Sequence, residues 1–508
     1  MPLPPIAFDN SYARDLPGFY TAWQPTPAPQ PQLLKLNRAL ADELGLDADA
    51  LAGPEGLAVL SGQTVPPGAE PLAQAYAGHQ FGGFSPQLGD GRALLLGELI
   101  DRHGQRRDWA FKGSGRTPYS RGGDGKAAVG PVLREYLMGE AMHALGIPTT
   151  RVLAAVATGE PIQRDRVLPG AVLSRIAASH IRVGTFQFFA ARGRHEDVQR
   201  LVAYTVARHY PKLKDAENAA LALLNALAGR QAALIAQWMG VGFIHGVMNT
   251  DNMTLSGETI DYGPCAFMEH HDPAAVFSSI DHGGRYAYGQ QPLIARWNIA
   301  RFAECLLPMI DADPDRAVAA ATAVIDAFPA MYASAWLAVM RAKLGLAGAT
   351  PEHDETDRAL AESFLLLLQT QGADHTLAFR GLADGVEGDN AVDAPMSGVP
   401  AGRALAQLLP DTPAREAWLA RWRARLAQQP QPAGGHAAAL CRANPLYVPR
   451  HHRVEAALTA AVEQGDLTPF DELLAALQQP FDTLPGHAAD AEPAPREQTA
   501  CYQTFCGT

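Results

Sequence analysis

Between Gly242 and Gly263 the chain sets His245 and Asn252 seven residues apart and brings Asp261 nine residues later. An amide oxygen and a carboxylate arriving from two neighbouring segments make a hard-oxygen site, suited to a divalent cation that also holds a nucleotide's phosphates. A long helix predicted across 216–239 carries apolar residues at helical spacing and stops at Gly240 and Gly242. It delivers the chain into the His245 loop.

Bulk composition narrows the class. The 508 residues are 47% hydrophobic and 19% charged, enough for a large core in two or three domains. A formal net charge of −12 argues against nucleic acid as the main partner. No run reaches the ~20 apolar residues of a membrane span, and Met1–Ile6 has no basic segment followed by an apolar one. Five cysteines are too few for a disulfide framework, which makes the cytoplasm the expected compartment.

Residues 1–70, rich in Pro and Gly, read as a wrapping arm with one helix near Gln32–Leu44. From 71 to 185 short β-like runs, among them Ala93–Ile100 and Trp109–Lys112, precede a helix opened by Gly130-Pro131 and stopped by Gly146. Residues 186–345 hold the helix and the metal-type loops. Residues 346–508 read as a helical extension with linkers near Thr350–Asp354 and Val386–Gly402, a loop near Gln428–Gly435 and a polar tail.

Ordered along the chain, these parts match a protein kinase. The His245–Asn252 spacing is that of H-R-D-x-x-x-x-N, and Asp261-Tyr262-Gly263 stands where D-F-G would. Lys112 ends a W-A-F-K run comparable to V-A-I-K, and the Gly-rich turn Gln87–Arg92 precedes it. Alone, Lys112 would read as a surface lysine at a strand end. A helix with Glu135 and Glu140 follows, and Glu135 is favoured as the partner of Lys112 by its separation. Val247 occupies the place of the usual catalytic Asp and cannot accept a proton. Asp251, the only carboxylate between His245 and Asn252, is then the candidate base. His245 reads as a packed loop residue bonded to backbone. The Gly113–Lys126 segment is an insertion whose glycines expose N–H groups and whose cations suit anionic oxygens. Arg175 and Arg182 suit phosphate forks, although isolated arginines are more often surface ion-pair partners. His270-His271 and His451-His452 lack zinc spacing. Cys265, four residues past Asp261, and the tail residues Cys501 and Cys506 admit a redox pairing, weighed evenly against inert thiols.

With Tyr76–Phe84, Asp261–Phe267 and Asn444–Arg450, these motifs together resemble the selenoprotein O family, kinase-fold protein adenylyltransferases. The resemblance spans most of the chain. It implies an α/β (α+β) bilobal kinase-like fold with an N-terminal arm and a helical C-terminal region. It implies ATP contacts from Gly89, Gly91, Arg92, Lys112, Asp124, Gly125, Arg175, Arg182 and Asp261, with Mg²⁺ or Mn²⁺ at Asn252 and Asp261 and proton acceptance by Asp251. ATP would lie flipped, its terminal phosphates buried and its α-phosphate facing the acceptor. The expected reaction moves AMP to a Ser, Thr or Tyr hydroxyl of a protein, with self-modification among the products to look for. The rival readings are γ-phosphate transfer and a non-catalytic ATP-binding scaffold.

Overall fold

Alternation along Ala93–Ile100 sends Leu94 and Leu96 to one face of a sheet and Leu95 to the other, into two separate hydrophobic cores. The computed structural model describes residues 2–346, 350–386, 397–400, 403–430 and 432–505. Its strands are β1 (Tyr20–Ala22), β2 (Gln32–Leu36), β3 (Leu72–Gln74), β4 (Gly78–Gln80), β5 (Gly83–Ser85), β6 (Ala93–Ile100), β7 (Arg106–Lys112), β8 (Ala127–Ala128), β9 (Arg151–Gln163), β10 (Val167–Ala177), β11 (Phe243–Ile244) and β12 (Ala266–Phe267). The main sheet runs β1-β3-β6-β7-β10-β9-β2, with β8 on β10, and every pairing is antiparallel. One face packs on α1 (Val129–Ala144), through Val132, Leu133, Tyr136 and Leu137. The other closes a smaller core of Leu40, Leu51, Leu94, Leu96, Trp109, Phe111 and Val156.

That smaller core corrects the reading of the first 70 residues. Gln32–Leu36 is not helical; it pairs with β9 as the sheet's edge strand, and the helix begins only at Arg38, capped by Asn37. β1 forms the opposite edge. The segment therefore supplies both edges and one cover of the sheet, because an open edge leaves unpaired backbone groups.

The helical part is built on α2 (Val183–Ala190), α3 (His195–His209), α4 (Ala219–Val241), α5 (Gln291–Ile310) and α6 (Pro314–Lys343). Asn218 caps α4 by accepting from the Leu221 N–H, and Gly242, left-handed at φ 74°, ends it. By length and composition α4 and α6 are long and apolar enough to cross a membrane, although polar residues such as Asn225 and Arg230 interrupt the apolar run of α4. Leu223, Leu224, Leu227 and Ile235 of α4 are core residues. β11 and β12 pair directly after α4 and after Asp261, which lays the two loops side by side.

Candidate active site

Lys112 stands at the end of β7 opposite Leu173 of β10, which carries Arg175 two places along, so the sheet register brings both cations to one end. Helix α1 turns Glu135 toward them. Lys112 pairs with Glu135 and lies 3.3 Å from Asp261 Oδ1. Glu140, the alternative partner, is held instead by both nitrogens of the Arg151 fork at 2.7 Å. Arg175, fully buried, donates to Asp261 Oδ1 at 2.6 Å and Glu135 Oε1 at 3.2 Å. Arg182 donates to Asp261 Oδ2 at 3.1 Å and to the Asp251 carbonyl at 3.0 Å, with its guanidinium 4.5 Å over the Tyr76 ring. Asp261 itself sits at φ 63°, an uncommon conformation for a non-glycine residue. Burial opposes its charge, but Arg175, Lys112 and Arg182 hold the carboxyl well below its usual range.

His245 behaves as its sequence suggests. Buried and stacked on Trp238, it bonds the Ile260 carbonyl through Nε2 at 2.9 Å and accepts the Val247 N–H at Nδ1, tying the two loops together. Asn252 donates through Nδ2 to the Val247 carbonyl at 2.9 Å, which fixes the amide plane and leaves Oδ1 as the atom that could serve a cation. Asp251 is buried, and burial lifts its carboxyl to about 6 against the pull of Arg182. Its Oδ2 takes a weak bond from the Gln80 amide at 3.4 Å, while Oδ1 has no partner.

Lys112, Arg175, Arg182, Asp251, Asn252 and Asp261 line one cavity of about 300 Å³ together with Gly89, Gly91, Arg92, Asp124 and Gly125. Gly89 has φ 67°, and a Cβ there would run into the Tyr119 ring, so the turn approaches the cavity with backbone alone. A more apolar cavity of about 440 Å³ adjoins it and shares Arg92, Lys112 and Gly263. The smaller one is where Arg175, Arg182, Asp251, Asn252 and Asp261 come together.

Part of the insertion differs from expectation. Arg116 is bonded to the Gly123 carbonyl of its own loop, and Lys126 to Glu160. Asp124 is clamped by both fork nitrogens of Arg164, a β9–β10 turn residue that no motif singled out. Tyr76, Gln80 and Asn249 were likewise missed as site residues; Tyr76 and Gln80 lie inside a recognised motif but carried no chemical signal of their own.

The redox expectation meets an obstacle at Cys265, which is fully buried with its thiol pushed up to about 11, the reverse of a reactive thiolate. The tail does approach it: Thr504 donates through Oγ1 to the Pro264 carbonyl at 2.7 Å. The Cys501 side chain and Cys506 lie outside the described residues, as does most of the Val386–Gly402 linker.

The donor set fits a triphosphate and its cation. Lys112, Arg175 and Arg182 face the two acids Glu135 and Asp261, and the Nε of Arg182 is a buried donor without a partner. A phosphate oxygen satisfies such a donor. Among the described residues no three His, Cys, Asp or Glu side chains converge as a metal cluster. A cation here would rest on Asn252, Asp261 and phosphate oxygens, the sparse protein ligation typical of Mg²⁺.

A lysine–glutamate pair, an amide and a carboxylate from adjoining loops and a second, buried carboxylate beside them fit a nucleotide-dependent transferase site. Comparison with known proteins gives the family. A family profile described as protein adenylyltransferase SelO matches residues 2–478. Several relatives carry the name protein nucleotidyltransferase YdiU. One from Cereibacter sphaeroides is 60% identical over 503 residues, covering 99% of each chain. Those from Rhizobium leguminosarum and Rhizobium etli are 58% and 57% identical, covering 99% of this chain and 97% of theirs. The chain belongs to the SelO family of protein adenylyltransferases.

Proposed function

We propose that this chain transfers AMP from ATP to hydroxyl groups of proteins within a bilobal kinase-like fold. The sheet with α1 forms one lobe and the region built on α4 the other, with 346–508 appended as a helical extension. The observation that carries the reading is the convergence of Lys112, Arg175 and Arg182 on Asp261 beside a buried carboxylate whose Oδ1 is unpartnered. The three cations, with Arg92, bind the β- and γ-phosphates inward and leave the α-phosphate near Asp251. A divalent cation, Mg²⁺ or Mn²⁺, held by Asn252 and Asp261 would neutralise charge developing on the phosphates.

Asp251 orients a Ser, Thr or Tyr hydroxyl through Oδ1 and takes its proton. The hydroxyl oxygen bonds to the α-phosphorus, the bond between that phosphorus and the bridging oxygen to the β-phosphate breaks, and pyrophosphate leaves. Val247 cannot accept a proton at the position an ordinary kinase uses, which leaves that role to Asp251. Lys112→Ala and Asp261→Ala should each abolish transfer while the fold survives. Full transfer by either variant, followed by intact mass, would remove that residue from the site.

A further inference from the structure

The hairpin of β4 and β5 lies across the catalytic loop. His79 N–H donates to Thr250 Oγ1 at 2.7 Å, and a Cβ on Gly78 would come within 2.5 Å of Asp251 Oδ1. The two-residue turn at its tip, Phe81-Gly82, has φ of 50° and 85°. Such turns normally carry Asn, Asp or Gly, because a bulky side chain is strained at positive φ. Here the first turn residue is a phenylalanine, 40% exposed, and its N–H is held by Asn249 Oδ1 and the Tyr286 hydroxyl. A strained aromatic residue kept on the surface two positions from Gly83 and next to a catalytic loop points to use of its ring.

Beneath the turn sits Arg285, whose guanidinium carbon would be 3.7 Å from a Gly82 Cβ and lies 4.8 Å over the Trp297 ring. Its side chain makes no ion pair among the described residues, and its Nε is a buried donor without a partner. Nearby Asp281 is spent on the backbone N–H groups of Arg285 and Tyr286, and Arg301 is paired with Glu304. In a chain of net charge −12, a half-buried arginine left without an acid beside the acceptor entrance is a local exception.

We infer that the hairpin tip and Arg285 form the docking surface for the acceptor: an extended protein segment with an apolar side chain against Phe81 and an Asp or Glu on Arg285, beside the hydroxyl presented to Asp251. The inference rests on the transferase reading. Arg285 and Phe81 act on specificity, not on nucleotide binding.

The test uses the full chain, ATP with Mg²⁺, and a position-scanning library of synthetic peptides around a central Ser, Thr or Tyr, with a cell lysate as parallel acceptor. The wild type should favour Asp or Glu at a flanking position, and Arg285→Glu should replace that preference with Lys or Arg. Phe81→Gly relieves the turn's strain, so it should keep ATP-dependent thermal stabilisation while raising peptide KM by about tenfold, the scale of one lost apolar contact. Transfer without acidic selection, an unchanged preference in Arg285→Glu, or labelling of lysate proteins but of no peptide would each overturn the docking surface alone. No AMP in any acceptor would sink the transferase reading as well.

Discussion

Asp251 is ionised only at the expense of burial, and that sets two measurable consequences. A base lifted to about 6 must be deprotonated to act, so transfer should rise with pH through about 6 and level off above it. A rate that stays flat from pH 5 to 8 would exclude Asp251 as the base. Asp251→Asn should lower kcat by about 10²–10⁴-fold, the usual contribution of a positioned base, with ATP-dependent stabilisation retained. The stability effect has the opposite sign. The folded state binds this proton more tightly than the unfolded chain, whose Asp titrates near 3.8, so wild-type stability falls as pH rises from about 4 to about 6. Above that window Asp251→Asn should be the more stable protein, by on the order of 2–3 kcal/mol, and below pH 4 the two should converge. Thermal melts at pH 4 and pH 8 check the sign.

At the scale of elements, helix α4 aims the catalytic loop, and its C-terminal turn decides the aim. Gly242→Ala would place a Cβ 3.1 Å from the His375 ring at a left-handed φ, costing about 1–2 kcal/mol by denaturant unfolding and displacing His245 and Asn252. Transfer should fall by more than the loss of folded protein explains. A melt and activity equal to wild type would show that the cap does not position the loop. This element was legible in the sequence, because apolar periodicity and paired glycines are local signals. So were β6, β7, α1 and the Lys112–Glu135 pairing, whose separation alone chose between two acids. Gln32–Leu36 was not legible: its leucines fit a helix as well as a strand, and the pairing with β9 that decides the matter lies more than a hundred residues away. Arg164 was missed for the same reason, since only the β9–β10 turn brings it to Asp124. The carbonyl and Glu160 partners of Arg116 and Lys126 are invisible in one dimension, although Lys126 and Arg121 do line the cavity.

For the whole molecule, the chain order of its motifs carried most of the functional reading, and the spatial arrangement adds the reason. The sheet register and the start of α2 bring three cations against a single acid, and α4 leads to a buried carboxylate with one unpartnered oxygen beside it. An ordinary kinase sends the γ-phosphate toward its base. Here the positive charge lies deep, which favours burying the terminal phosphates and presenting the α-phosphate. The most direct measurement is transfer from ATP labelled separately at the α- and γ-phosphates, with protein-bound label counted after Mg²⁺ is supplied. Label should enter protein from the α position and leave as pyrophosphate from the γ position; protein labelled only from the γ position would contradict the account.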